Sequence, residues 1–145
     1  MIKSISLLRV TALSVIMLTI SFVIYLDFER VNSDFFVLKK KLADIRLKSV
    51  FQGQQFIVKF KGTQVIFIHR NTNEVIDSII IRTLKSINYD TTLGKDMIVF
   101  NNGVTDSYNI RVHGGEIIMQ SLLGFEKSIH VNCAGLVREG RYPEG

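Results

Sequence analysis

Cysteine and helix-breaking residues are scarce in this 145-residue chain. The single cysteine, Cys133, cannot form an internal disulfide, which excludes a disulfide-built scaffold. No proline precedes Pro143 and no glycine precedes Gly53. The first third of the chain therefore contains nothing that must interrupt a helix. The length fits one domain plus an anchor.

Charge is also absent from Val10–Leu26, a run of 17 residues. A membrane-spanning helix needs roughly 20 predominantly apolar residues, with about 17 as the lower limit. A cleaved secretory signal is the alternative, but its apolar region is typically about 7–15 residues long and ends at a small-residue site that is missing here. Lys3 and Arg9 precede the run, so the positive-inside rule predicts a single-pass protein of the cytoplasmic (inner) membrane with a cytoplasmic N-terminus and an extracytoplasmic domain.

A second apolar pattern continues the first. Val31, Phe35, Leu38, Leu42 and Ile45 recur at spacings of three and four, which places them on one face of a helix. The sequence predicts one helix from about Ser6 to about Phe51, ended by Gly53. We therefore divide the chain into an anchor (1–27), an amphipathic continuation of the helix (28–53) and an extracytoplasmic β-rich domain (54–145).

After Gly53 the apolar period changes to about two, which indicates strands. Turn signals at Lys61-Gly62-Thr63, Asn101-Asn102-Gly103 and His113-Gly114-Gly115 separate some of them. The predicted fold class is α+β, with the long helix packed on a mostly antiparallel sheet. The predicted strands are Gln55–Lys61, Gln64–His69, Val75–Arg82, Met97–Phe100, Tyr108–Val112, Glu116–Gln120 and Ser128–Asn132.

The segment Lys3–Val10, with sequence KSISLLRV, resembles the processing site of type IV pilins and pseudopilins. In that family a prepilin peptidase cuts after a glycine, a phenylalanine follows, and a glutamate lies inside the membrane segment. Here Ser4 stands for the glycine, Ile5 for the phenylalanine and Arg9 for the glutamate. The resemblance implies processing between Ser4 and Ile5 and methylation of the new N-terminus.

Later segments resemble the GspH/FimT branch of pseudopilins. They are the helix end Leu38–Arg46, the following Gly53–Phe60, the strand Met97–Phe100 with Gly103, and the closing segment Ile129–Arg138. The resemblance covers almost the whole chain and implies a pilin-like fold.

The function implied is that of a minor pseudopilin in competence, type II secretion or pilus assembly, with no enzymatic activity and no cofactor. Its implied partners are the membrane, other pilin-like subunits, a prepilin peptidase, and an assembly platform protein with its ATPase. The helix packing would be carried by six apolar residues: Leu7, Leu8, Leu13, Ile16, Ile20 and Val23.

Arg9 departs from the family because it replaces a carboxylate with a cation, and three interpretations remain open. The subunit could lie at a filament end, where no neighbouring amine must be neutralised. Arg9 could pair with another subunit's glutamate. The chain could also remain unprocessed, with Arg9 serving as a topogenic charge. An unrelated signal-anchored extracytoplasmic domain is the corresponding alternative function.

The C-terminal segment provides a further alternative, a DNA-binding minor pilin for natural transformation. Some members of the FimT branch resemble DNA receptors with a basic glycine-arginine tail. Arg138 and Arg141 could contact phosphates, and Tyr142 could stack on a base. Glu139 and Glu144 weaken the local positive field, so a solvated tail is the preferred interpretation.

Other chemistry is not indicated. His69, His113 and His130 have no partner at the spacing of metal ligands, so no metal site is predicted. Cys133 has no base near it in sequence, and we interpret it as a small buried residue.

Overall fold

The computed structural model describes residues 2–91, 94–105 and 114–140. One helix, α1, covers Ile2–Gln52, a length of 51 residues. At 1.5 Å per residue it is about 75 Å long. It ends at Gly53, whose φ of +60° suits a residue without a side chain. The prediction of one uninterrupted helix is confirmed, with slightly wider bounds.

The two halves of α1 have different environments. The side chains from Ile2 to Leu26 are exposed. Beyond them, Val31, Phe35, Leu38, Leu42 and Ile45 are buried. This confirms the amphipathic stripe, whose five residues belong to one core cluster with residues of both sheets.

Eleven strands follow α1 in the described part of the chain. They are β1 (Gln55–Lys61), β2 (Gln64–His69), β3 (Glu74–Ile80), β4 (Leu84–Asn88), β5 (Asp90–Thr91), β6 (Gly94–Lys95), β7 (Met97–Asn101), β8 (Val104–Thr105), β9 (Gly114–Gln120), β10 (Glu126–Asn132) and β11 (Val137–Glu139).

The strands form two main antiparallel sheets and a small ribbon. The five-stranded sheet has the order β3-β2-β1-β7-β8, and the four-stranded sheet has the order β11-β10-β9-β4. The ribbon pairs β5 with β6. Thr105 in β8 connects the sheets, because its N–H donates to the Cys133 carbonyl (3.2 Å) and its hydroxyl donates to the Asn132 carbonyl (2.7 Å). The core lies between α1 and the inward faces of both sheets.

Several strand predictions differ from the structure. The predicted strand Val75–Arg82 lies at Glu74–Ile80, since Arg82 and Thr83 form a turn. The strand β4 was missed because Leu84–Asn88 does not alternate clearly between apolar and polar residues. The prediction Tyr108–Val112 falls outside the described residues.

The C-terminal part differs from the sequence predictions at two places, and for Cys133 the prediction is wrong. Cys133 is exposed, because it lies in the turn between β10 and β11 and not on a strand face. Arg138 and Glu139 of the segment interpreted as a solvated tail are exposed, but Val137–Glu139 forms the strand β11, which pairs antiparallel with β10. β11 is the edge strand of its sheet, so the backbone groups on one of its sides pair with β10.

Candidate assembly interface

The first half of α1, Ile2–Leu26, is a mainly apolar surface whose side chains are all exposed. The helix is long and apolar enough to cross a membrane, judged by length and composition. The six residues predicted to carry helix packing all project from this surface and are between 49% and 73% exposed. A helix that is apolar all round is stable only in lipid or against other apolar helices.

Four hydroxyl groups in the middle of this surface are satisfied inside the helix. Thr11, Ser14, Thr19 and Ser21 each donate to the carbonyl oxygen four residues earlier, at 2.8–2.9 Å. Such bonds remove the cost of placing a hydroxyl group in hydrocarbon. The polar residues of the segment are therefore compatible with a membrane.

The candidate processing site lies in the first turns of α1. Ser4 and Ile5 are exposed there, and Arg9 is exposed one turn later. Ile5 and Arg9 are four residues apart, so they lie on the same side of the helix. The sequence before Asp27 contains no acidic residue.

Asp27 marks the point where α1 joins the domain. Its side chain is only 7% exposed, and its carboxylate accepts hydrogen bonds from the N–H groups of Leu122 (3.2 Å) and Leu123 (3.0 Å). The Ser121 hydroxyl donates to the same carboxylate. From the sequence, Asp27 was only the first charge after the membrane segment. The structure shows that it binds the turn between β9 and β10.

Two further polar residues hold α1 at intervals of seven residues, which keeps them on one side of the helix. Asp34 accepts from the Thr83 N–H (3.0 Å) and hydroxyl (2.8 Å). Lys41 forms an ion pair with Asp77 on β3. The hydrogen bond from Lys41, helped by one from the Ser78 N–H, lowers the pKa of the Asp77 carboxyl below its ordinary value.

The far end of α1 binds the turn between β7 and β8. The Gly103 N–H donates to the Ser49 hydroxyl (2.8 Å), and the Arg46 Nε donates to the Gly103 carbonyl (3.1 Å). Asn102 and Gly103 both have positive φ, as a two-residue type I′ turn requires. The exposed half of α1 is therefore attached to a helix that the domain holds at several levels.

The candidate DNA-binding residues are only partly described. Arg138 is exposed on β11 and lies opposite His130 of β10. The neighbouring Glu139 forms an ion pair with Lys127 (3.8 Å). Arg141 and Tyr142 fall outside the described residues, so DNA binding stays a prediction from the sequence.

The histidines that the structure describes have local partners. The His69 Nε2 lies 2.7 Å from the Gln54 side-chain oxygen, and the His130 Nδ1 lies 3.2 Å from the Gly140 carbonyl. Within residues 2–91, 94–105 and 114–140 no group of three or more metal-ligating side chains occurs. His113 falls outside that part of the chain.

Comparisons with known proteins identify the fold. The sequence matches no protein-family model and no curated protein. The structure is similar to the minor pseudopilin EpsH from the type 2 secretion system of Vibrio cholerae, with a TM-score of 0.54 and 8% identity over 71% of this chain and 90% of that one. It is also similar to the type IV minor pilin FimU of Pseudomonas aeruginosa, with a TM-score of 0.55 and 11% identity over 78% of this chain and 90% of that one. The chain has the pilin-like fold that its sequence predicted.

Proposed function

We propose that this chain is a minor pseudopilin-type structural subunit of a type IV filament machine that serves competence, type II secretion or pilus assembly. The observation that carries the proposal is the division of one 51-residue helix. Before Asp27 the helix exposes apolar side chains all round, and after it the apolar face is buried on the sheets. The similarity of the fold to a minor pseudopilin and to a minor pilin supports the same role.

The exposed half of α1 has two successive environments in this proposal. It first holds the subunit in the cytoplasmic membrane, with residues 1–27 as the anchor and 28–145 outside the cytoplasm. Lys3 and Arg9 support that orientation because basic residues favour the cytoplasmic side. The helix then leaves the lipid and packs against the helices of other pilin-like subunits, and the chain itself catalyses no reaction.

The charges at the start of α1 support a subunit of low copy number. Cleavage after Ser4 would leave an ammonium group on Ile5, one turn from the Arg9 guanidinium. Two copies packed side by side would bring four cations together without a carboxylate, since none precedes Asp27. Like charges in a medium of low dielectric constant repel strongly. A neighbour that carries the family's membrane glutamate would compensate these charges, so the proposed position of the chain is beside such a subunit.

The N-terminus of the mature protein tests the processing step. The full chain is produced in cells that contain a prepilin peptidase, extracted from membranes and measured by intact-mass spectrometry. We expect a mature chain that begins with methylated Ile5. The Ser4→Gly variant, which restores the family residue, is the control for peptidase activity. An intact Met1 in the native chain beside a cleaved Ser4→Gly variant would contradict the processing step.

Helix packing is tested by cross-linking in cells that carry a complete filament machine. Leu13→Cys is introduced into a Cys133→Ser background and combined with a major pilin that has a cysteine in its membrane helix. We expect a mixed disulfide that depends on the assembly ATPase. Val104→Cys, at the opposite end of the domain, is the matched control and should give none. Adducts of Leu13→Cys that are equally abundant without the ATPase would contradict assembly.

A further inference from the structure

The turn between β9 and β10, Ser121–Phe125, exposes an unusual set of side chains. Leu122 is 87% exposed, Leu123 is 57% exposed and Phe125 is 36% exposed. Surface turns are normally rich in polar residues because water solvates them. Three large apolar side chains at one tip indicate a non-aqueous contact.

The position of this turn along α1 indicates which contact it is. Leu123 and Phe125 line an apolar groove together with residues of the last turns of the uncharged segment, and the Phe125 ring packs edge-to-face on Phe28 at 5.5 Å. The helix residues that line the groove are Thr19, Ile20, Val23 and Ile24. The turn thus lies at the level of the membrane segment and not above it.

The length of the uncharged segment fixes the depth. Seventeen helical residues span about 25 Å, which is less than the roughly 30 Å of a bilayer's hydrocarbon core. All of Val10–Leu26 is needed to cross it, so a group level with Ile20–Ile24 lies at or below the boundary of the hydrocarbon. Tyr25, which is 57% exposed, has the amphipathic side chain typical of this boundary.

The backbone N–H groups of the turn suit such an environment. Every N–H from Ser121 to Phe125 has a partner inside the protein. The acceptors are the Phe125 carbonyl for Ser121 (2.8 Å), the two Asp27 carboxylate oxygens for Leu122 and Leu123, the Ser121 carbonyl for Gly124 (3.2 Å) and the Ser121 hydroxyl for Phe125 (3.0 Å). An unsatisfied N–H group is strongly unfavourable in a medium without water.

We propose that the Leu122–Phe125 tip is a second membrane contact, which inserts into the extracytoplasmic face of the lipid bilayer beside α1. Its occupant is the lipid surface, because the tip shares the depth of the spanning segment and its backbone N–H groups are all bonded inside the protein. Asp27 serves as the internal acceptor that permits this insertion. Two contacts, the helix and the tip, hold the β9–β10 side of the domain against the membrane. The inference rests on the proposed anchoring, and not on the filament role.

The absence of tryptophan from the chain allows a direct test. Three full-length single-tryptophan variants, Leu123→Trp, Ile20→Trp and Val104→Trp, are reconstituted in phosphatidylcholine vesicles at low protein density. The vesicles carry nitroxide-labelled lipids with the quencher either near the headgroup or near the chain end. Ile20 reports on anchoring itself. Val104 is the control, because it is exposed to nearly the same degree as Leu123, 51% against 57%. It follows the Gly103 turn, which binds the C-terminal end of α1, far from the membrane segment.

We expect the Leu123→Trp variant to emit at shorter wavelength than Val104→Trp. The quencher near the headgroup should remove most of the Leu123→Trp intensity. Ile20→Trp should be quenched by both lipids, and Val104→Trp by neither. Quenching of Ile20→Trp without quenching of Leu123→Trp would overturn the lipid contact and leave the anchoring intact. No quenching of Ile20→Trp would overturn both. Shielding of Leu123→Trp that appears only at high protein density would assign the tip to a neighbouring helix, which also overturns the proposal.

Discussion

A Cβ atom on Gly135 would lie 1.8 Å from the carbonyl oxygen of Gly103. Gly135 belongs to the turn between β10 and β11, and Gly103 to the turn between β7 and β8. The two sheets therefore touch backbone to backbone at this point. The Arg46 guanidinium of α1 binds the same Gly103 oxygen. One carbonyl group thus joins the helix and both sheets at the end of the domain that lies farthest from the exposed half of α1.

Replacement of Gly135 by another residue should lower the stability of the fold for two reasons. Its φ of +78° strains any other residue, and the new methyl group would collide with a backbone atom that cannot rotate away. We expect Gly135→Ala to lower the free energy of unfolding by about 3 kcal/mol, as strain and overpacking add. Urea unfolding of the full chain in detergent, followed by circular dichroism, measures the change.

Gly62 provides the matched control for Gly135. It has a similar φ of +61°, but no atom lies within 4 Å of the position that a Cβ would take. Gly62→Ala should therefore cost only the conformational strain, about 1 kcal/mol. Equal losses in the two variants would show that the contact with Gly103 contributes nothing.

Asp27 should slow the exchange of backbone amide hydrogens in the turn between β9 and β10, which it binds. In Asp27→Asn one carboxylate oxygen is replaced by an amide nitrogen, so one of the Leu122 and Leu123 N–H groups loses its acceptor. Hydrogen bonds to charged groups are worth about 1.5–3 kcal/mol, so the N–H group that loses its acceptor should exchange with solvent about tenfold faster or more. Amide hydrogen exchange measured by NMR tests this. Glu29→Gln is the control, and unchanged exchange in Asp27→Asn would refute the role of the carboxylate.

The sequence was sufficient for the helix and for the local hairpins. The spacing of Val31, Phe35 and Leu38 specifies one face of a helix, and no glycine or proline interrupts it. The two-residue loop Gly62-Thr63 joins β1 and β2 where the sequence predicted a turn, and both strands have their predicted bounds. Both features depend on residues close together in the chain, where periodicity and turn chemistry are informative.

The sequence could not predict the division of the strands into two sheets. It also could not predict the polar contacts of α1. The pairing of β1 with β7 and of β4 with β9 depends on contacts far apart in the chain. Asp27 gives no sequence signal of its own, because its partners are backbone amides about 95 residues away. Cys133 was predicted to be buried because cysteine as a residue type favours the interior. It is exposed because it lies in the turn between β10 and β11.

The ion pair between Lys41 and Asp77 should give the stability a small acid dependence. The hydrogen bond from Lys41 lowers the pKa of Asp77 in the folded state relative to the unfolded chain. The contribution is therefore complete above the unfolded-state pKa and is lost as the pH falls through the lower, folded-state pKa. Both side chains are about two-fifths exposed, so it should be at most about 1 kcal/mol.

Asp77→Asn tests that dependence. The variant should be less stable than the native chain at neutral pH, and the difference should shrink in acid. Urea unfolding at a series of pH values gives both curves. Asp44→Asn, which lies about one helical turn after Lys41 in α1, is the control for a general effect of removing a carboxylate. Parallel curves for Asp77→Asn and the native chain would rule out the ion pair as a source of stability.

Tyr89 and Gly115 should be strongly coupled. The buried ring of Tyr89 covers Gly115 so closely that a Cβ on the glycine would lie 1.4 Å from the tyrosine Cδ2. Gly115→Ala should therefore cost about 1–3 kcal/mol by overpacking. In a Tyr89→Leu background the ring is gone, and the same substitution should cost at least about 1 kcal/mol less. A double-mutant cycle measured by urea unfolding gives this coupling. Additive losses would mean that the sheet moves to accommodate the methyl group, and that the ring does not require glycine at position 115.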